Sequence, residues 1–137
     1  MKIYFAGSIR GGREDQDIYF SIIKILGEFG TVLTEHIGDV ALSGMGEVTR
    51  TNQEIFERDM SWVEESDMIV ADVSRPSLGV GYEIGRAEAM GKPVLCLYRE
   101  QPDKRLSAMI DGNEKLTVAR YESVEDVYVI IENFIKK

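Results

Sequence analysis

Two carboxylates, a tyrosine and a glycine-rich loop carry most of the chemistry that residue type and spacing can reveal. The loop runs Gly7-Ser8-Ile9-Arg10-Gly11-Gly12-Arg13. Glycine lets backbone N–H groups approach an anion, a helix N-terminus favours negative charge, and arginine offers a fork of donors. The segment reads as a cradle for phosphate or a phosphosugar; a merely tight strand-to-helix turn is the plain alternative. It is not a P-loop, because no Gly-x-x-x-x-Gly-Lys-Ser/Thr run is present.

A second cluster reads Gly79-Val80-Gly81-Tyr82-Glu83-Ile84-Gly85. Ile84 stands where a Gly-x-Gly-x-x-Gly fingerprint needs its third glycine, so no dinucleotide site is expected. The glycines suggest instead a helix packed very close to something, a ligand included. Glu83 falls in the first or second turn of that helix, where the positive end of the dipole favours an ionised carboxylate. A surface acid that only stabilises the helix is the alternative. Ser77 cannot form a capping box, since Val80 follows it three residues on. Asp59 shares helical spacing with Ile55, Trp62 or Val63, and Ser66, whereas Glu54, Glu57, Arg58, Glu64 and Glu65 can face solvent. A carboxylate on an inward stripe needs a partner or a job, which leaves a structural ion pair and a catalytic role both open. Tyr4, near the end of the first strand, is either core or a participant.

His36 is the only histidine. A multi-histidine metal site is excluded, and a Ser-His-Asp triad lacks its Gly-x-Ser-x-Gly elbow. Ligand contact and a satisfied loop histidine remain equally open for it. No spacing resembles a calcium loop or a His-containing metal site, so metal-independent chemistry, or no chemistry, is expected, and no cofactor. The single cysteine, Cys96, lies in Pro93-Val-Leu-Cys-Leu-Tyr98 and is expected to be buried packing.

Positioning these residues falls to alternating elements. Strands are expected at 2–6, 31–34, 68–72, 93–98 and 116–121, and helices at about 14–28, 51–66, 78–90 and 123–136. The run Met68-Ile-Val-Ala-Asp72 is nearly continuous in apolar residues, as a central strand requires. Such βα repetition implies a parallel sheet covered on both faces, a flavodoxin-like three-layer sandwich with the leading order 2-1-3-4-5. The ligand crevice then lies beyond the carboxyl ends of the strands, where the glycine loop, His36, residues 74–79 and Arg105-Leu106-Ser107 all fall. The stretch 37–50 is expected to be the most mobile loop.

The chain has 137 residues, expected to form one domain over 1–137, with 44% hydrophobic and 29% charged residues. Sixteen Lys and Arg against 24 Asp and Glu give a net charge of −8. That balance argues against a nucleic acid polymer as partner, which needs a basic footprint. One small phosphorylated ligand stays compatible with it. No apolar run approaches the ~20 residues of a membrane span. Met1-Lys2-Ile3 opens directly into a strand, leaving no room for a signal peptide. The cytoplasm is the expected compartment.

Taken in order, four segments resemble a known family. Tyr4-Phe-Ala-Gly-Ser-Ile-Arg-Gly-Gly-Arg-Glu-Asp15, Leu33-Thr-Glu-His36, Pro76-Ser-Leu-Gly-Val-Gly-Tyr-Glu-Ile-Gly-Arg86 and Leu106-Ser-Ala-Met-Ile110 look like the 2′-deoxynucleoside 5′-monophosphate N-glycosidases of the nucleoside 2-deoxyribosyltransferase superfamily. The resemblance implies a flavodoxin-like fold and hydrolysis of a deoxynucleotide to free base and 2-deoxyribose 5-phosphate. It implies Glu83 as nucleophile, Asp59 assisting at the sugar and leaving base, and Tyr4 beside Glu83. By the same likeness the phosphate would meet Gly7, Ser8, Ile9 and Arg10 with Ser77 and Ser107, and Tyr19 and His36 would lie near base or sugar. Gly79, Ala108 and Met109 complete the implied substrate contacts. A homodimer is implied, with Ser107 reaching the neighbour's phosphate. A deoxyribosyltransferase, a ribonucleotide hydrolase and a non-catalytic nucleotide-binding module are the alternatives; Arg10, Arg13 and the paired serines favour the hydrolase of a phosphorylated substrate.

Overall fold

The computed structural model describes residues 1–9, 12–36 and 50–137. Its sheet contains β1 (Lys2–Ala6), β2 (Thr31–Leu33), β3 (Met68–Asp72), β4 (Val94–Arg99) and β5 (Thr117–Tyr121). All pairings are parallel and the order is β2-β1-β3-β4-β5, as the sequence pattern leads one to expect. Every residue of β3 is buried, because this strand is hydrogen-bonded on both edges and covered on both faces.

Alternation along β1 sends Ile3 and Phe5 to one face and Tyr4 and Ala6 to the other. The first face is covered by α1 (Arg13–Leu26) and α5 (Val124–Lys136), through Ile22, Leu26, Val127 and Ile131. The second is covered by α2 (Asn52–Glu65) and α3 (Leu78–Ala89), through Met60, Val63, Val80, Ile84 and Ala87. Fully buried aliphatic side chains of this kind contribute about 1.5–3 kcal/mol each, so both faces are firmly fixed. Cys96, on β4, is entirely buried as expected, and burial pushes its thiol up to about 12.

Several boundaries differ from the periodicity. Helix α1 ends at Leu26, and Gly27 caps it by donating its N–H to the Ile23 carbonyl. A short helix, α4 (Ala108–Asp111), follows β4; its single turn is too brief to show a hydrophobic period. The Ser107 hydroxyl caps it by accepting the Met109 N–H at 3.2 Å. Apart from Arg50, the expected mobile loop at 37–50 lies outside the described residues. No helix among the described residues is long and apolar enough to cross a membrane.

Candidate active site

Parallel strands deliver their carboxyl ends to one rim, and the candidate residues gather there or on the helices beside it. Tyr4 points from β1 into the α2–α3 layer and is 1% exposed. Its hydroxyl donates to Glu83 Oε2. Glu83 sits on the stripe of α3 formed by Val80, Ile84 and Ala87, which explains why a polar side chain is drawn inward. Burial raises its carboxyl to about 7, reinforced by the Asp59 charge and opposed by the Tyr4 hydrogen bond and the Arg58 charge.

This corrects the expectation that the helix dipole keeps Glu83 ionised. Glu83 is the sixth residue of α3, beyond the first turn where the dipole acts, and desolvation prevails. Near neutrality the carboxyl is about half ionised and able to exchange its proton. The Tyr4 phenol is driven the other way from ionisation. Burial first, then the Glu83 and Asp59 charges, hold it far above its ordinary range, so it remains a donor.

Asp59 is 6% exposed, on the inward stripe that helical spacing assigns it. Arg58 departs from expectation. Its side chain is only 11% exposed, with Nε donating to Asp59 Oδ1 at 3.0 Å and Nη2 lying 3.7 Å from Glu35 Oε1. Its guanidinium lies 4.8 Å from the Trp62 ring centroid. Arginine can lay an apolar stem and planar head over an aromatic face, which helical spacing alone does not report. The Asp59 charge is thus matched within its own helix.

Position 7 is tightly packed, which suits glycine. A Cβ there would lie 3.2 Å from His36 Nε2 and from the Phe5 and Tyr19 rings. His36 Nε2 is 3.0 Å from the Gly7 carbonyl, and its ring meets Tyr19 edge-on at 5.1 Å between centroids. Tyr19 and His36, expected beside a base or sugar, are placed beneath the Gly7 backbone, 2% and 8% exposed. Their visible role is to shape Gly7–Ile9. Ser8 is buried and Ile9 half exposed; Arg10 lies outside the described residues. Gly12, the N-cap of α1, brings no side chain to the first helical N–H groups, which suits an anion site.

Ser77 caps α3 by accepting the Val80 N–H at 3.3 Å, so a simple cap replaces the absent capping box. Ser77, Ser107 and Met109 share a cleft of about 870 Å³ between α3 and residues 104–116. Tyr4, Asp59, Glu83 and Gly7–Ile9 do not line it. One chain therefore joins Glu83 to the phenol, with the Asp59 charge acting on both, while it sets Ser107 in a neighbouring cleft. Ser107, Ala108 and Met109 are exposed, as is Gly79. The expected close packing at the α3 glycines is not met within the chain: a Cβ at Gly81 or Gly85 would find nothing within 4 Å.

Residue type alone also passed over a second polar group at the rim. Arg75 Nε donates to Asp15 Oδ2 at 2.7 Å, and Arg99 Nη2 donates to Asp15 Oδ1 at 3.2 Å. Burial would raise the Asp15 carboxyl, but these guanidinium groups prevail and hold it below the usual range. Nearby, Tyr121 Oη donates to Asp72 Oδ2 at 2.6 Å, and the Ser74 N–H to Asp72 Oδ1 at 2.9 Å. Asp72 is wholly buried, which pushes its carboxyl up against those hydrogen bonds. Among the described residues no three His, Cys, Asp or Glu side chains are grouped to hold a metal ion.

A family model described as nucleoside 2-deoxyribosyltransferase matches residues 3–126. A Rattus norvegicus protein named 5-hydroxymethyl-dUMP N-hydrolase is 54% identical over 111 residues, covering 80% of this chain and 68% of the rat protein. A Tetraodon nigroviridis protein of the same name is 48% identical over 137 residues, covering 98% of this chain and 96% of its own. Among solved structures, a CMP N-glycosidase from Clostridium botulinum matches with a TM-score of 0.70 at 18% identity, over 97% of this chain and 99% of that one. At that identity the likeness speaks for the fold.

Proposed function

The chain belongs to the nucleoside 2-deoxyribosyltransferase family, and from that premise we propose that it hydrolyses 2′-deoxynucleoside 5′-monophosphates to free base and 2-deoxyribose 5-phosphate. The observation that carries this reading is the half-buried Glu83 carboxyl held by the Tyr4 hydroxyl, with the charge of a second carboxylate, Asp59, acting on it. The names of the relatives point the same way and make 5-hydroxymethyl-dUMP the first substrate to test.

An N-glycosidic bond breaks through an oxocarbenium-like state that a carboxylate can stabilise and trap. Ionised Glu83 attacks the anomeric carbon; the C1′–N electron pair leaves with the base, which takes up a proton. Water then attacks C1′, the bond to Glu83 breaks, and the water proton is released. Tyr4 holds one Glu83 oxygen in place, and Asp59 assists at the sugar and base. The 5′-phosphate is received by Gly7, Ser8, Ile9 and Arg10 with Ser77 and the neighbour's Ser107, and Gly79, Ala108 and Met109 add further substrate contacts. Remote phosphate binding of this kind can be used to orient the sugar.

The site assigned to the phosphate is completed in a cytoplasmic homodimer. Support comes from the face of α3: Gly81 and Gly85 front open space, Leu78 is 96% exposed, and Met109 across the cleft is 81% exposed. Interior helical glycines cost about 1 kcal/mol each relative to alanine, a cost that close approach by a second copy would explain.

The test is incubation with a panel of deoxy- and ribonucleoside monophosphates and parent nucleosides, scored for released base. Release from deoxynucleotides is expected; no base from any monophosphate overturns the reading. The family description also admits deoxyribosyl transfer. A second base added to the mixture and recovered as a new nucleoside would assign the chain to that branch.

A further inference from the structure

Asp15 occupies an unusual place for an acid. It is the third residue of α1, whose N-terminus follows the glycine loop, and it is 8% exposed. At an ordinary helix start an acid complements the dipole. Here the same terminus is assigned to a phosphate, so an uncompensated carboxylate would repel the ligand. The two guanidinium groups of Arg75 and Arg99 leave one positive charge in excess.

The partners identify what the acid contributes. Arg75 belongs to the loop after β3, two residues before Ser77; Arg99 is the last residue of β4. The Arg99 N–H also donates to Ser74 Oγ at 2.8 Å, and the Ser74 N–H to Asp72. Through one carboxylate the start of α1 is tied to the loop after β3 and to the end of the neighbouring β4. We propose that Asp15, Arg75 and Arg99 form a positioning clamp that sets the distance between the glycine loop and the Ser77 loop, and thereby the affinity for the 5′-phosphate. None of the three is assigned to the reacting atoms. The inference rests on the phosphate reading above.

Charge and position predict opposite signs for Asp15→Asn. Removing a negative charge beside an anion should tighten phosphate binding, whereas loosening the clamp should weaken it. The experiment measures kcat and KM for a 2′-deoxynucleoside monophosphate, and the Kd of inorganic phosphate by calorimetry, in Asp15→Asn, Arg75→Gln, Arg75→Lys and the double variant Asp15→Asn/Arg75→Gln. The clamp predicts KM and phosphate Kd raised about tenfold or more in Asp15→Asn and Arg75→Gln, with kcat within threefold. Arg75→Lys should recover part of the loss, and the double variant should be no worse than the poorer single, because one tie is broken twice. Phosphate bound by Asp15→Asn as tightly as by the parent, a fall confined to Tm, or additive losses would each overturn the clamp. If the parent releases no base yet binds phosphate, and the variants bind it more weakly, the hydrolase reading fails and the clamp stands. A parent chain that binds no phosphate overturns the clamp.

Discussion

Replacing Tyr4 with phenylalanine separates the phenol's hydrogen bond from its packing. The ring is buried among Ala6, Val80 and Ile84, and phenylalanine keeps that contact. What disappears is the donor to Glu83, one of the influences that hold the Glu83 carboxyl down to about 7 against burial. Hydrogen bonds to a charged group contribute about 1.5–3 kcal/mol. At ~1.36 kcal/mol for each pKa unit, the Glu83 pKa should rise by about 1–2. The ionised fraction at pH 7 then falls from about half to roughly 1–10%, and kcat/KM should fall about five- to fiftyfold. The loss should shrink as pH is raised towards 9, since added base restores the anion in both proteins. The assay is release of base from a deoxynucleotide between pH 5.5 and 9.5. A variant within twofold of the parent at pH 7, or one equally impaired at pH 7 and pH 9, would refute the argument that Tyr4 acts by keeping Glu83 ionised.

Glu83→Gln should lose base release by several orders of magnitude yet gain stability. The native carboxyl titrates near 7 against an ordinary 4.5, so between those values the folded state binds more protons and stability falls as pH rises. Removing the acid should therefore stabilise by up to about 3 kcal/mol at pH 8 and by little below pH 4.5; Tm measured against pH checks this, and a parallel offset at both ends would count against it. Gly7→Ala forces its methyl within 3.2 Å of three rings and should cost about 1–3 kcal/mol in chemical denaturation, while an unchanged midpoint would deny that the position is tightly packed. For the shared site, Glu83→Ala and Ser107→Ala proteins are mixed under conditions that exchange subunits, after confirming that each is impaired alone. Recovered activity supports Ser107 acting across the interface, and no recovery with exchange confirmed refutes it.

Legibility in the sequence followed the range of the interactions. The β3 run and the inward stripe through Asp59 are local patterns, and the strand order follows from the alternation of five strands with helices. Glu83's stripe was equally readable, but its protonation depends on Tyr4, 79 residues away, and on burial that no helical wheel measures. Helical spacing turns Arg58 to solvent, whereas its long side chain folds back over Trp62. Asp15 gave no signal, since its partners lie 60 and 84 residues along the chain. Gly81 and Gly85 suggest close packing by residue type, yet they border the open cleft facing residues 104–116, a spacing that only the tertiary arrangement sets.

The buried cysteine makes the protein its own clock for opening. With the Cys96 thiol pushed up to about 12, on the order of one molecule in a hundred thousand carries the thiolate at pH 7, and it sits within the central sheet. Fraying of a loop or terminus leaves β4 covered, so an alkylating reagent must wait until the sheet itself parts. Because the sequence holds no other cysteine, each labelled chain records one such event without correction for competing sites. Mass-spectrometric labelling rates, followed with and without a bound nucleotide, would convert ligand affinity into seconds of sheet lifetime.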